Sequence, residues 1–150
     1  MPFRNALLCL CCLLVLPCAA KAQSTAQPEA GENARIPHII VSGFEAYKDN
    51  KDHGPEEAIK AWLKGGPLEG SKTALGQANT LREIQDYYGE YESFSVISTR
   101  DLTSRTKIVY VEIDFERGPA FGKFLVYRIE GGWIMISFDF NTKEDAILPS

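Results

Sequence analysis

Residues 108–141 read IVYVEIDFERGPAFGKFLVYRIEGGWIMISFDFN. The first nine alternate cleanly. Val109, Val111, Ile113 and Phe115 fall on one side of an extended chain, and Tyr110, Glu112 and Asp114 on the other, the period of a half-buried strand. Phe121 to Glu130 and Trp133 to Asn141 read as two further strands. Gly131-Gly132 between them is a two-residue turn of the type that needs positive φ. It sets Glu130 opposite Trp133, Ile129 opposite Ile134, Tyr127 opposite Ile136 and Leu125 opposite Phe138. For the preceding hairpin, a three-residue loop at Arg117-Gly118-Pro119 with a bulge pairs Phe115 with Phe121 and Val111 with Leu125. That register gathers the apolar mass on one face. Upstream, Phe94 to about Leu102 is a first strand whose facing stays open, because Phe94, Val96 and Ile97 do not alternate.

Before the strands the period is helical. Ile36, Ile39, Ile40, Gly43, Phe44 and Tyr47 follow the i, i+3, i+4, i+7 rule. Pro55, followed by Glu56 and Glu57, suits a helix start. Ala58, Ile59, Trp62 and Leu63 make its buried face, and Gly65-Gly66-Pro67 stops it. A third helix is expected after Ser71, burying Leu75, Ala78, Leu81 and Ile84 or Tyr88 and closing at Gly89. Three helices followed by a four-stranded antiparallel meander is an α+β order, with the helices packed on one face of a curved sheet.

The N-terminus has the grammar of an export signal. Arg4 gives a positive start, Ala6 to Pro17 an apolar run, and Ala20-Lys21-Ala22 the small residues before a cut ahead of Gln23. A membrane span needs about 20 apolar residues, and this run breaks at Pro17 before reaching that. Residues 1–22 are therefore read as a signal peptide, 23–35 as a disordered tether and 36–150 as one domain, periplasmic or extracellular after cleavage. A membrane attachment would require lipid on Cys18, and Pro17 stands where lipid-attachment signals carry Gly, Ala or Ser. All four cysteines lie in the leader, so the mature domain must be stabilised by its core.

The chain carries 16 Lys and Arg against 20 Asp and Glu, a net charge of −4. Cleavage removes Arg4 and Lys21 and no acid. An acidic chain with scattered lysines lacks the clustered basic face that nucleic acid requires, so that partner class is set aside.

Ala61-Trp62-Leu63-Lys64-Gly65, the helix end Tyr87-Tyr88-Gly89, Gly118-Pro119-Ala120-Phe121, Gly132-Trp133-Ile134, and the tail from Phe138-Asp139-Phe140-Asn141-Thr142 to Ile147-Leu148-Pro149 together carry a resemblance. In that order, over about Pro37 to Pro149, the chain resembles the nuclear transport factor 2-like, or cystatin-like cone, superfamily, and within it small exported bacterial members of unknown role. The resemblance implies a curved sheet wrapped around helices. It implies no reaction, because the superfamily hosts isomerases, dehydratases, hydrolases and non-catalytic binding modules. Catalytic members resembling ketosteroid isomerase place a carboxylate or histidine on the concave face.

With the register above, the concave face holds Val109, Val111, Ile113 and Phe115, then Phe121, Lys123, Leu125, Tyr127 and Ile129, then Ile134, Ile136, Phe138 and Phe140. Its polar members are Lys123 and Tyr127, and it has no acid. Glu112, Asp114 and Asp139 fall on the second face. No catalytic residue is assigned and the reading leans against an enzyme; the alternative is an isomerase- or hydrolase-like site using Tyr127. His38 and His53 are far apart and no cysteine remains, so neither a metal nor a cofactor is expected. A small apolar ligand in the cone would meet Tyr127, Lys123, Trp62, Leu125, Ile136 and Phe138. The second face, with Tyr110, Phe124, Arg128, Trp133 and Met135, has the composition of an association surface and suggests a homodimer through the open sheet. A third reading is a purely structural envelope protein.

Overall fold

The computed structural model describes residues 36–149. The expected signal peptide and tether lie outside the described residues. The order is α1 (His38–Asp49), α2 (Gly54–Leu63), α3 (Lys72–Leu75), α4 (Gln77–Tyr88), β1 (Tyr91–Thr103), β2 (Thr106–Phe115), β3 (Gly118–Ile129) and β4 (Gly132–Asn141), with a 3-10 turn at Glu144–Ala146. The strands form one antiparallel sheet in the order β1-β2-β3-β4. This is the α+β architecture expected, with the helices on one face of the sheet.

Helix α1 buries Ile40, Gly43, Phe44 and Tyr47, one stripe of an amphipathic helix. Helix α2 starts with Pro55 in its first turn, followed by Glu56 and Glu57, and buries Ala58, Ile59, Trp62 and Leu63. Arg82 of α4 pairs with Glu56, tying α2 to α4. The third expected helix is divided. The Ser71 hydroxyl accepts from the Ala74 amide at 3.3 Å and opens the single turn α3; Gly76 then separates it from α4. The break turns Ala74 inward and leaves Leu75 38% exposed, against the expectation that Leu75 is buried.

Strand β2 faces as its alternation dictates, with Val109, Val111, Ile113 and Phe115 all buried in the core. Strand β3 does not. The β2–β3 hairpin turns on two residues, Glu116-Arg117, so that Phe115 sits opposite Gly118, Ile113 opposite Ala120, Val111 opposite Gly122 and Val109 opposite Phe124. The expected three-residue loop would have placed Phe121 there. Phe121, Lys123, Leu125, Tyr127 and Ile129 consequently occupy the second face, and Ala120, Gly122, Phe124 and Val126 face the helices. The physical reason lies in volume. A Cβ added at Gly118 would meet the Tyr88 ring, and one at Gly122 would press on Val111, Phe124 and Phe140. Small residues face inward because large rings lie over them.

The last hairpin also differs. Its turn residues are Glu130-Gly131, with Ile129 opposite Gly132 at φ 128°, Arg128 opposite Trp133, Tyr127 opposite Ile134 and Val126 opposite Met135. A bulge at Ile136 then shifts the register, setting Leu125 opposite Ser137 and Phe124 opposite Phe138. The extra residue lets Met135, Phe138 and Phe140 all face the helices. Ile134 points to the second face, and Ile136 lies in the bulge, lining a shallow cleft with Leu68 and Ala74. In β1, irregularities between Tyr91 and Ser93 and between Val96 and Ser98 explain the broken alternation. They turn Phe94 and Val96 toward the core and leave Ile97 exposed.

Candidate functional site

The interior between helices and sheet is built around Trp62, which is 0% exposed. Its indole N–H donates to the Ile40 carbonyl at 2.9 Å, joining α2 to α1. Around it stand the rings of Phe44 and Phe124, both with centroids 5.0 Å away, Phe140 at 5.5 Å and Phe138 at 6.1 Å. Gly43 lets α1 approach, since a side chain there would collide with the indole. Aromatic side chains of the chain itself therefore fill the space where the sequence reading places an apolar ligand.

Of the six residues proposed to meet that ligand, Trp62 and Phe138 are in this core. Tyr127, Lys123 and Leu125 are on the opposite side of the sheet, and Ile136 is in the bulge. Of the five residues assigned to the association surface, Phe124 and Met135 are fully buried in the core. Arg128 and Trp133 share the helix-facing side at the end of the sheet, where the Lys107 ammonium lies 5.8 Å from the Trp133 ring centroid. Tyr110 alone is on the second face as expected, yet it is only 5% exposed. It and Ile147 are buried outside the core cluster.

The second face can be read from the register. At one end are Asp114 and Glu112, with Phe121 opposite Glu112. The central row is Ser98, Tyr110, Lys123 and Asp139. Beyond it come Arg100, Ile108 and Leu125, then Tyr127 and Ile134. The Arg105 guanidinium lies 4.7 Å from the centroid of the Tyr127 ring, and its Nε donates to the Arg128 carbonyl at 3.1 Å. The face thus mixes apolar residues with a central Lys123–Asp139 pair of opposite charge, and it is acidic at one end and basic at the other.

Among the described residues, two tyrosines have clearly perturbed phenols, Tyr47 in α1 and Tyr91 in β1. Tyr47 and Tyr91 stack with ring centroids 4.7 Å apart. The Tyr47 hydroxyl donates to Gln85 Oε1 at 3.1 Å, and Gln85 Nε2 donates to Glu90 at 3.2 Å. Burial, reinforced by Glu90 and Tyr91, holds the Tyr47 phenol well above its ordinary value; burial and then Asp114 do the same for Tyr91. Neutral phenols of this kind donate hydrogen bonds and do not act as bases near neutral pH. Its periodic place in α1 announces Tyr47 in the sequence; nothing local announces the Gln85–Glu90 relay. Among the described residues, no group of three or more His, Cys, Asp or Glu is placed to hold a metal ion. No helix among them is long and apolar enough to cross a membrane.

No family model matches the chain, and no curated protein matches it. Among solved structures it is distantly similar to the crystal structure of a domain of unknown function with a cystatin-like fold from Nostoc punctiforme. That match has 14% identity, covers 77% of this chain and 79% of that chain, and has a TM-score of 0.48.

Proposed function

We propose that this chain is an exported, non-catalytic module of the cystatin-like cone type that pairs with a second copy of itself through the second face of its sheet. One observation carries the reading. The register places Ile108, Phe121, Leu125, Tyr127 and Ile134 on the face opposite the helices, between an acidic end (Asp114, Glu112) and a basic end (Arg100, Arg105). A two-fold axis running across the strands lays the acidic end of one copy on the basic end of the other, so the surface is complementary to itself. Size is compatible. Four strands of about ten residues span roughly 19 by 33 Å, so two bare faces would bury at most about 1,200 Å². Tyr110 at the centre is already only 5% exposed, so the new burial is smaller and suits a weak, concentration-dependent pair. Stacked sheets would sit about 10 Å apart.

Sedimentation of the purified protein tests this. A dimer is expected at concentrations on the order of 100 µM. Leu125→Asp should give monomers with an unchanged far-ultraviolet spectrum. Because that variant could also disturb folding, a charge swap is the sharper probe. Arg100→Glu alone weakens pairing, and adding Asp114→Arg restores it across the two-fold axis. A wild-type protein that stays monomeric at that concentration, or a double reversal no better than the single, would overturn the reading.

A further inference from the structure

Tyr87 is 73% exposed, the most exposed large hydrophobic side chain among the described residues. It is also firmly mounted. Its ring meets Tyr88 edge to face, centroids 4.8 Å apart at 86°, and Tyr88 lies over Gly118, where a Cβ would collide with it. Arg117 Nη2 donates to the Tyr87 carbonyl at 2.8 Å and to the Asp86 carbonyl at 3.4 Å, and the Arg117 amide donates to the Tyr88 carbonyl at 2.8 Å. Gly89, at φ 91°, closes the helix with its amide on the Gln85 carbonyl at 2.7 Å. An aromatic ring held in water on a rigid helix end is prepared for something that has not yet arrived, since ordering it on binding costs little.

Beside it runs a cleft of about 460 Å³. One wall is a single helical stripe at i, i+3, i+4 and i+7: Thr80, Glu83, Ile84 and Tyr87. The other is the end of β4, with Phe140, Asn141 and Thr142. Apolar surface from Ile84, Phe140 and the two tyrosines thus alternates with hydroxyl, carboxamide and carboxylate groups, and the lining contains no cation. The Asn141 Oδ1 accepts from the Lys143 amide at 3.0 Å, which orients the carboxamide and leaves its NH₂ as a donor. With one carboxylate and no cation this lining disfavours an anion, and it suits a ligand with a flat apolar face for the ring and a rim of groups that both donate and accept.

We propose that this cleft binds a neutral saccharide of one to two hexose units. The C–H face of the sugar packs on Tyr87, and its hydroxyls bond to Glu83, Asn141 and the two threonines. The site lies where α4 meets the end of β4, and apart from Asn141, which the register sets opposite Phe121, its residues are not on the sheet face proposed to pair.

The test is an amide-resolved NMR titration of the purified protein with maltose, cellobiose, lactose and N,N′-diacetylchitobiose, each to about 10 mM, since single-ring stacking supports millimolar binding. At least one sugar should shift Thr80, Glu83, Tyr87, Asn141 and Thr142 together. Tyr87→Ala should weaken that sugar about tenfold, whereas Tyr87→Phe, which keeps the ring, should stay within about threefold. The thermal midpoint of both variants should match wild type, because the ring is exposed. Silence from all four sugars overturns the proposal. So does Tyr87→Ala binding as wild type, or shifts confined to the second sheet face.

Discussion

Trp62 contributes one hydrogen bond and four ring contacts to the join between α1, α2, β3 and β4. Replacing it by Ala should cost roughly 3–5 kcal/mol, a large part of the stability of a domain this size. Gly43→Ala tests the same contact from the other side. The added methyl runs into the indole and should cost about 1–3 kcal/mol or more, read as a lower urea midpoint with unchanged slope. The stacked pair Tyr47 and Tyr91 sets an alkaline limit. Both phenols are held above the ordinary value of about 10, so the folded state keeps protons that the unfolded state releases. Their contribution is fully present below about pH 10 and is lost as pH climbs toward the folded-state values. Stability should fall above pH 10, and Tyr47→Phe with Tyr91→Phe should flatten that fall. Denaturant titrations between about pH 9 and 11 read it directly.

At the level of elements, β2 was legible because from Val109 to Phe115 each inward residue is large and each outward one polar or aromatic. The faces of β3 were not, and the reason is a substitution of roles. Hydrophobic mass marks the wrong side here: Gly118, Ala120 and Gly122 face inward to make room for Tyr88, Phe140 and Val111, and the bulkier Phe121, Leu125 and Tyr127 face out. A sheet covered by aromatic-rich helices can put its smallest residues in the core, and alternation alone does not reveal that. The bulge at Ile136 has no local signature either; it follows from the need to bury Met135 and Phe138 together. The break at Gly76 was written in the sequence as a glycine within a helical pattern. A further test belongs at this scale. Arg117 stands in the β2–β3 turn and holds two carbonyls at the end of α4, so it couples the hairpin to the helix. Arg117→Ala should cost about 1 kcal/mol and lower the melting temperature by roughly 4–8 °C.

For the molecule as a whole, the sequence carried the order of elements, the layer arrangement and the placement of Glu112, Asp114 and Asp139 on the second face. It did not carry the division of apolar residues between the two faces, because that division hangs on the β2–β3 register, where the partner of Phe115 is Gly118 and not Phe121, and on the bulge at Ile136. Exchanging the faces moves the candidate association surface from Phe124, Met135 and Trp133 to Phe121, Leu125, Tyr127 and Ile134, around Tyr110. Because oppositely charged ends would meet, raising salt from about 0.05 to 0.5 M should loosen the dimer by reducing the reach of those charges. Sedimentation across that range should show the monomer fraction rising with salt.

The seat of Trp62 has a consequence for how the chain comes into being. The tryptophan is made early, on α2, but three of the four rings that enclose it, Phe124, Phe138 and Phe140, belong to the last two strands. Until translation reaches residue 140, the helices have nothing complete to close upon. The α1–α2 pair must therefore wait, with the indole uncovered, until both closing strands have been made.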